Sequence, residues 1–151
     1  MRVFLCSFNE FTLAIPMKSV LSIFLFKDKA ENKIAYKTES SNIHISLPLL
    51  FNSPESRIHH GIVIKNEYYK NDMKENILLS TEIQNENNIP SHIFHPIPKA
   101  LGVFKFSCFF SGMYFISADR SIITDKNNRE LVLLLDPLRL FPEINKEYFH
   151  D

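Results

Sequence analysis

Short apolar runs recur along this chain and are separated by polar turns. Val3 to Phe8 is dense in apolar and aromatic residues and reads as a strand, with Asn9-Glu10 as a turn. Phe11, Leu13 and Ile15 then alternate with Thr12 and Ala14. A period of two is the signature of a strand, so an N-terminal β-hairpin is expected, ended by Pro16. Met17 to Ile23 reads either as one helical turn or as the start of a strand that Phe24-Leu25-Phe26 continues. The charged segment Lys27 to Lys33 reads as a loop, and Ile34 to Ser41 is weakly patterned. Ile43, Ile45 and Leu47 alternate with His44 and Ser46, which predicts a half-buried strand, and Pro48 to Pro54 reads as a turn with an apolar cluster. Gly61 to Ile64 reads as a buried strand and Asn66 to Asn76 as a polar hairpin loop.

The second half continues in the same manner. Ile77, Leu79, Thr81 and Ile83 alternate again, and the polar run Gln84 to Asn88 reads as a bulged or extended edge. Pro90, Pro96 and Pro98 exclude a helix interior between Ile89 and Pro98, because proline has no N–H to donate. Leu101 to Phe110 is aromatic, Met113 to Ile116 reads as a strand, and Ser117 to Glu130 as a long polar turn region. Leu131 to Leu135 is an apolar strand. Asp136-Pro137 supplies a helix cap followed by proline at the first helical position. A short C-terminal helix is therefore expected from Leu138 to about Phe149, with Pro142 as a candidate early break. Roughly nine or ten short strands without long helical periodicity predict an all-β barrel or sandwich architecture.

Composition changes this picture little. The 151 residues are expected to form a single domain, or two small packed subdomains whose boundary the sequence does not mark. Hydrophobic residues make up 45%, enough for a core, and 17 basic residues balance 17 acidic ones. That balance argues against a broad nucleic-acid footprint, which needs a basic face. With only three glycines, Asn, Asp and Ser are expected at the turns. No run approaches the ~18 apolar residues of a membrane-spanning helix, and the N-terminal run is too short for a signal-peptide core. A cytoplasmic protein without membrane insertion is the expectation.

Candidate chemistry is sparse. Cys6 and Cys108 form no metal or redox spacing and are expected to be buried thiols, with a disulfide as the alternative. His59-His60 and His92-x-x-His95 lack a recognised third ligand, and the prolines deny the second pair a helix face. There is no glycine-rich phosphate loop and no nucleophile elbow. No enzyme, metal or cofactor is expected. Lys99 to Phe106 interleaves basic and aromatic residues, read as a strand with one solvated face in preference to a base-stacking surface. Phe104, Phe106, Phe109, Phe110, Tyr114 and Phe115 exceed what one small core face holds. They are expected either between two barrels or in an exposed partner patch.

Order and spacing resemble a known family. Ile77 to Ile83, Ile89-Pro90, Ile93 with its prolines, Phe110-Ser111-Gly112, and Leu131 to Phe141 with Asp136-Pro137-Leu138-Arg139-Leu140 follow one another as in the CheW-like domain. That domain is the coupling module of bacterial chemotaxis. Phe4 to Ile15 resembles its opening hairpin, and Val20-Leu21-Ser22-Ile23 the short acidic-containing motif after it. Ile43 to Phe51 and Ile62-Val63-Ile64 fall at two of its middle strands. The family's Asn-Leu-Arg-Gly signature has no counterpart near Thr38 to Ser41, and its acidic positions fall here at Ser22, Pro48 and Thr81.

The resemblance implies two intertwined five-stranded SH3-like β-barrels with a shared hydrophobic core and a short C-terminal helix. It implies a non-catalytic adaptor that docks the CheA histidine kinase and chemoreceptor tips, here without the receptor-facing signature. By that layout Val20, Ser22, Ile43, Ile45 and Leu47 are the expected partner-binding residues. Two other readings stay open. One is a barrel binding a small apolar ligand in a cavity lined by Phe104, Phe106, Phe110 and Phe115. The other is a structural module that oligomerises through the phenylalanine-rich stretch.

Overall fold

A computed structural model gives the architecture and describes residues 1–8, 11–54, 57–65, 75–90, 93–97, 109–116 and 130–149. Among the described residues ten strands and two α-helices follow in chain order. They are β1 (Arg2–Ser7), β2 (Thr12–Pro16), β3 (Val20–Leu25), β4 (Ala35–Lys37), β5 (Ile43–Ser46), α1 (Leu47–Leu50), β6 (His60–Ile64), β7 (Asn76–Ser80), β8 (Ile83–Asn88), β9 (Phe110–Ile116), β10 (Glu130–Leu135) and α2 (Pro137–Tyr148). A 3-10 turn over Met17–Ser19 leads into β3. Both readings of that segment are therefore realised, the turn first and the strand after it.

The strands form two five-stranded sheets, β8-β1-β2-β10-β9 and β3-β6-β7-β5-β4. Each sheet is antiparallel except for one parallel pair, β2 with β10 in the first and β5 with β7 in the second. These are the two expected five-stranded SH3-like units, and among the described residues neither ring of hydrogen bonds closes. The expected shared core is present. One cluster joins Cys6, Leu13, Ile15 and Leu135 of the first sheet to Ile45, Ile62, Ile64 and Leu78 of the second. Leu47 and Leu50 of α1 and Leu140, Phe141 and Ile144 of α2 complete it.

The outer faces are covered too. Val3, Leu5, Ala14, Val132 and Leu134 pack under Met1, Ile89, Ile93 and Phe94 on the first sheet. Tyr36, Val63, Ile77 and Leu79 pack under Phe26, Ala30 and Ile58 on the second. This double burial overrides the period of two in two strands. Thr12 and Ala14 alternate with apolar neighbours, yet all of β2 is buried because it is central in its sheet. Likewise Ile77 to Ser80 are all buried on β7.

The alternation from Ile77 to Ile83 is not one strand. The chain leaves the second sheet at Ser80 and enters the first at Ile83. The crossing is fixed by Ser80, whose Oγ lies 3.0 Å from Cys6 Sγ and 2.9 Å from the Thr81 carbonyl oxygen. The polar run ending at Asn88 is an edge strand whose register against β1 shifts between Val3 and Leu5, the expected bulge.

Both helices start as their caps dictate. Asp136 accepts a hydrogen bond from the Leu138 N–H at 3.2 Å, and Ser46 accepts from the Leu49 N–H at 3.4 Å. α1 replaces the turn expected after Leu47. α2 runs through Pro142 to Tyr148, so the early break does not occur. Proline removes one N–H bond from the helix. The buried stripe Leu140, Phe141 and Ile144 holds the helix on the core across that gap. Ser41 and Asn52 adopt positive φ, so the turn roles expected of polar residues are filled at these two sites.

Candidate functional site

The second sheet ends on β3, which pairs only with β6 among the described residues. A strand in that position normally carries charges or proline, which discourage pairing with another chain. Here Ser19 to Phe26 contains neither. Three of the four large apolar side chains that stand exposed in the described residues lie on it, Leu21 (65%), Phe24 (38%) and Leu25 (64%).

The ladder orients the edge. Phe26 donates to the His59 carbonyl at 2.9 Å, and Phe24 stands opposite Gly61. Bonded pairs alternate in antiparallel strands, so Ser22, Phe24 and Phe26 bond inward to β6. Ile23 and Leu25 then present their N–H and C=O groups outward. At the other end a bulge leaves Leu21 without a register partner, between Val20 opposite Ile64 and Ser22 opposite Val63. Phe24 lays its ring over Gly61, where a Cβ would stand 2.3 Å from the ring. Glycine there is what allows the aromatic ring to lie flat on the neighbouring strand.

Beyond Phe26 the edge opens into a hollow of about 520 Å³ lined by Phe26, Lys27, Asp28, Ala30, Arg57 and Ile58. Its floor is apolar and its rim carries both signs of charge. Behind Phe26 stands His44, with ring centroids 6.1 Å from Phe26 and 5.1 Å from Tyr36. The Tyr36 hydroxyl lies 3.2 Å from His44 Nδ1. Burial lowers the His44 pKa, opposed by the charges of Asp28 and Glu31. Burial likewise raises that of Tyr36.

The five expected binding residues divide into two groups. Val20 is half-buried and Ser22 exposed, both on the free edge. Ile43 is half-buried, whereas Ile45 and Leu47 are fully buried in the shared core. β5 lies three strands from β3, about 14 Å at the usual spacing. The structure thus separates the two groups, and only Ser22 and the outer part of Val20 face solvent at one place. Leu21, Phe24 and Leu25 were not singled out from the sequence. Their signal is the uninterrupted run Leu21-Ser22-Ile23-Phe24-Leu25-Phe26, which lacks the polar alternation of a strand with one solvated face.

The described part of the phenylalanine-rich region follows the first expectation, burial between the two units, with Phe109 in the shared core and Phe110 packed against it. Phe109 and Tyr114 are buried. Phe110 joins Phe8, Phe11 and Phe51 in a cluster with ring centroids 5.2 to 6.2 Å apart. Its ring packs against Phe11 and Phe51. Phe104, Phe106, Cys108 and His92 lie outside the described residues. Cys6 is buried, and burial pushes its thiol up to about 11. No helix among the described residues is long and apolar enough to cross a membrane.

Comparison with solved structures places this architecture. The scaffolding protein TtCheW from Thermoanaerobacter tengcongensis superposes with a TM-score of 0.58, over 90% of this chain and 84% of that one, at 12% identity. The fold is CheW-like. At that identity the likeness is one of fold, and most side chains differ. No family model matches the sequence. No curated protein matches it either.

Proposed function

We propose that this protein is a non-catalytic adaptor of a bacterial chemotaxis signalling array, working in the cytoplasm as one CheW-like unit. Its partner is the regulatory domain of the chemotaxis histidine kinase, with the chemoreceptor tip as a possible second contact. The observation that carries this reading is the pairing of a CheW-like fold with an uncharged, apolar free edge at β3. Protein interfaces have apolar centres and polar rims. Leu21, Phe24 and Leu25 would supply the centre, with Lys18, Lys27 and Asp28 at the rim.

Docking is assigned to the β3 edge, with Val20 and Ser22 as contacts. Ile43 supports the sheet from the far side, and Ile45 and Leu47 act only through the core. Any receptor contact is made without the Asn-Leu-Arg-Gly signature. The test is a calorimetric titration of the kinase regulatory domain from the same organism. Wild-type protein should bind saturably, and Val20→Glu should weaken binding by about tenfold or more while remaining folded. Equal affinity of a folded Val20→Glu variant would remove β3 as the docking edge.

A further inference from the structure

The β3 edge also fits a second copy of itself. We propose that β3 pairs antiparallel with β3 of another copy of this chain, about a two-fold axis through Ile23. This inference does not depend on which protein the adaptor docks.

In an isologous antiparallel pair the two-fold axis passes between two copies of one residue, and the new hydrogen bonds come from residues whose N–H and C=O groups point outward. Ile23 and Leu25 point outward by the ladder alternation, and Leu21 lies in the bulge, outside the regular bonds to β6. Alternation restricts self-pairing to registers that place these odd-numbered positions opposite one another. With Ile23 opposite its own copy, Leu21 of each chain meets Leu25 of the other, so the two most exposed leucines cover each other. Ser22 meets Phe24, and Val20 meets Phe26. Moving the axis to Ser22 sets Leu25 against Ser19. Moving it to Phe24 sets Leu21 against Lys27.

Charge selects the same register. The segment that pairs, Ser19 to Phe26, contains no charge, so self-pairing brings no like charges together. With the axis at Ile23, Lys18 of one copy lies at the end where the other presents Asp28, and the contact occurs twice by symmetry. Lys18 and Asp28 are both exposed. Lys27 falls opposite Ser19, so it meets no cation.

The arrangement has a consequence for function. A β3–β3 pair covers Leu21, Ser22 and Leu25, the surface assigned above to the kinase. Self-association and partner docking would then exclude each other.

The test uses the protein alone, by sedimentation over a wide concentration series. The expected result is a reversible monomer–dimer equilibrium. The double variant L21E/L25E places like charges opposite one another at both ends and should raise the dissociation constant by about tenfold or more. The double variant L21K/L25E places opposite charges there and should restore the dimer. Far-UV spectra establish that each variant is folded. A wild-type protein that stays monomeric throughout would overturn the proposal. So would a dimer indifferent to L21E/L25E, or an L21K/L25E variant as dissociated as L21E/L25E.

Discussion

Gly61 and Phe24 show how one residue sets the shape of the free edge. A Cβ at position 61 would meet the Phe24 ring at 2.3 Å, which the ring must move to relieve. Gly61→Ala should therefore destabilise the protein by about 1–3 kcal/mol, the usual cost of overpacking. The same change in a Phe24→Ala background should cost clearly less, because the two residues share the contact. Denaturant unfolding of the four proteins checks this, and equal costs in both backgrounds would contradict the packing. Cys6 makes a second residue-scale prediction. Its thiol is raised to about 11 in the folded state against 9.0 as the ordinary value. The unfolded chain therefore releases this proton first, so stability is whole below pH 9.0 and declines as pH rises toward 11. Tyr36, also raised by burial, acts in the same direction. Cys6→Ser should flatten part of that alkaline decline in thermal melts. The thiol was legible as buried from its apolar neighbours, but its contact with Ser80 was not, because 74 residues separate them.

At the scale of elements, the caps were the most readable signals. Asp136-Pro137 fixed the start of α2 from two residues, since cap and proline chemistry is local. Asp136→Ala should cost about 1 kcal/mol of stability, measured by denaturant unfolding; no change would mean the cap is not holding the helix. Strands were harder. Periodicity located most of them but carries no sign of the double burial of β2 and β7, whose second faces are covered by residues distant in sequence. β4 was missed because three residues, Ala35 to Lys37, are too few to show a period. Ile77 to Ile83 kept its alternation across a change of sheet, and local pattern carries no mark of which sheet a residue joins. The edge role of β3 was hidden for the same reason. Its largely apolar run looks like a buried strand, and only the topology reveals that no second strand flanks it among the described residues.

The whole molecule repeats one plan. Each sheet orders its pairings as antiparallel, antiparallel, parallel, antiparallel. In each, one strand of the parallel pair, β5 or β10, runs into a capped helix with proline in its first turn. No repeat of fixed period was visible in the sequence, because different side chains fill equivalent positions in the two halves. Both helices lay their apolar residues into the one core between the sheets, so the halves are bound together through it. The family resemblance read from apolar spacing therefore corresponds to the fold, since spacing encodes burial. Partner contacts depend on surface side chains, which spacing does not encode, and here the expected set divides between a free edge and the core. Acidification provides a check at this scale. His44, its pKa lowered by burial, resists the proton that the unfolded chain accepts near 6.5. Its contribution to stability is present above that pH and is lost as pH falls below it. His44→Gln should reduce the acid dependence of the melting temperature.

The most direct measurement is an amide hydrogen-exchange footprint, with and without the regulatory domain of the same organism's chemotaxis histidine kinase, at a dilution where the free protein is monomeric. The account predicts new protection at Ile23 and Leu25, whose N–H groups face outward on β3, and no change at Ile45 or Leu78 in the core. Absence of any footprint from a folded protein would contradict the adaptor role. A footprint confined to another surface would keep the role and move the site away from β3.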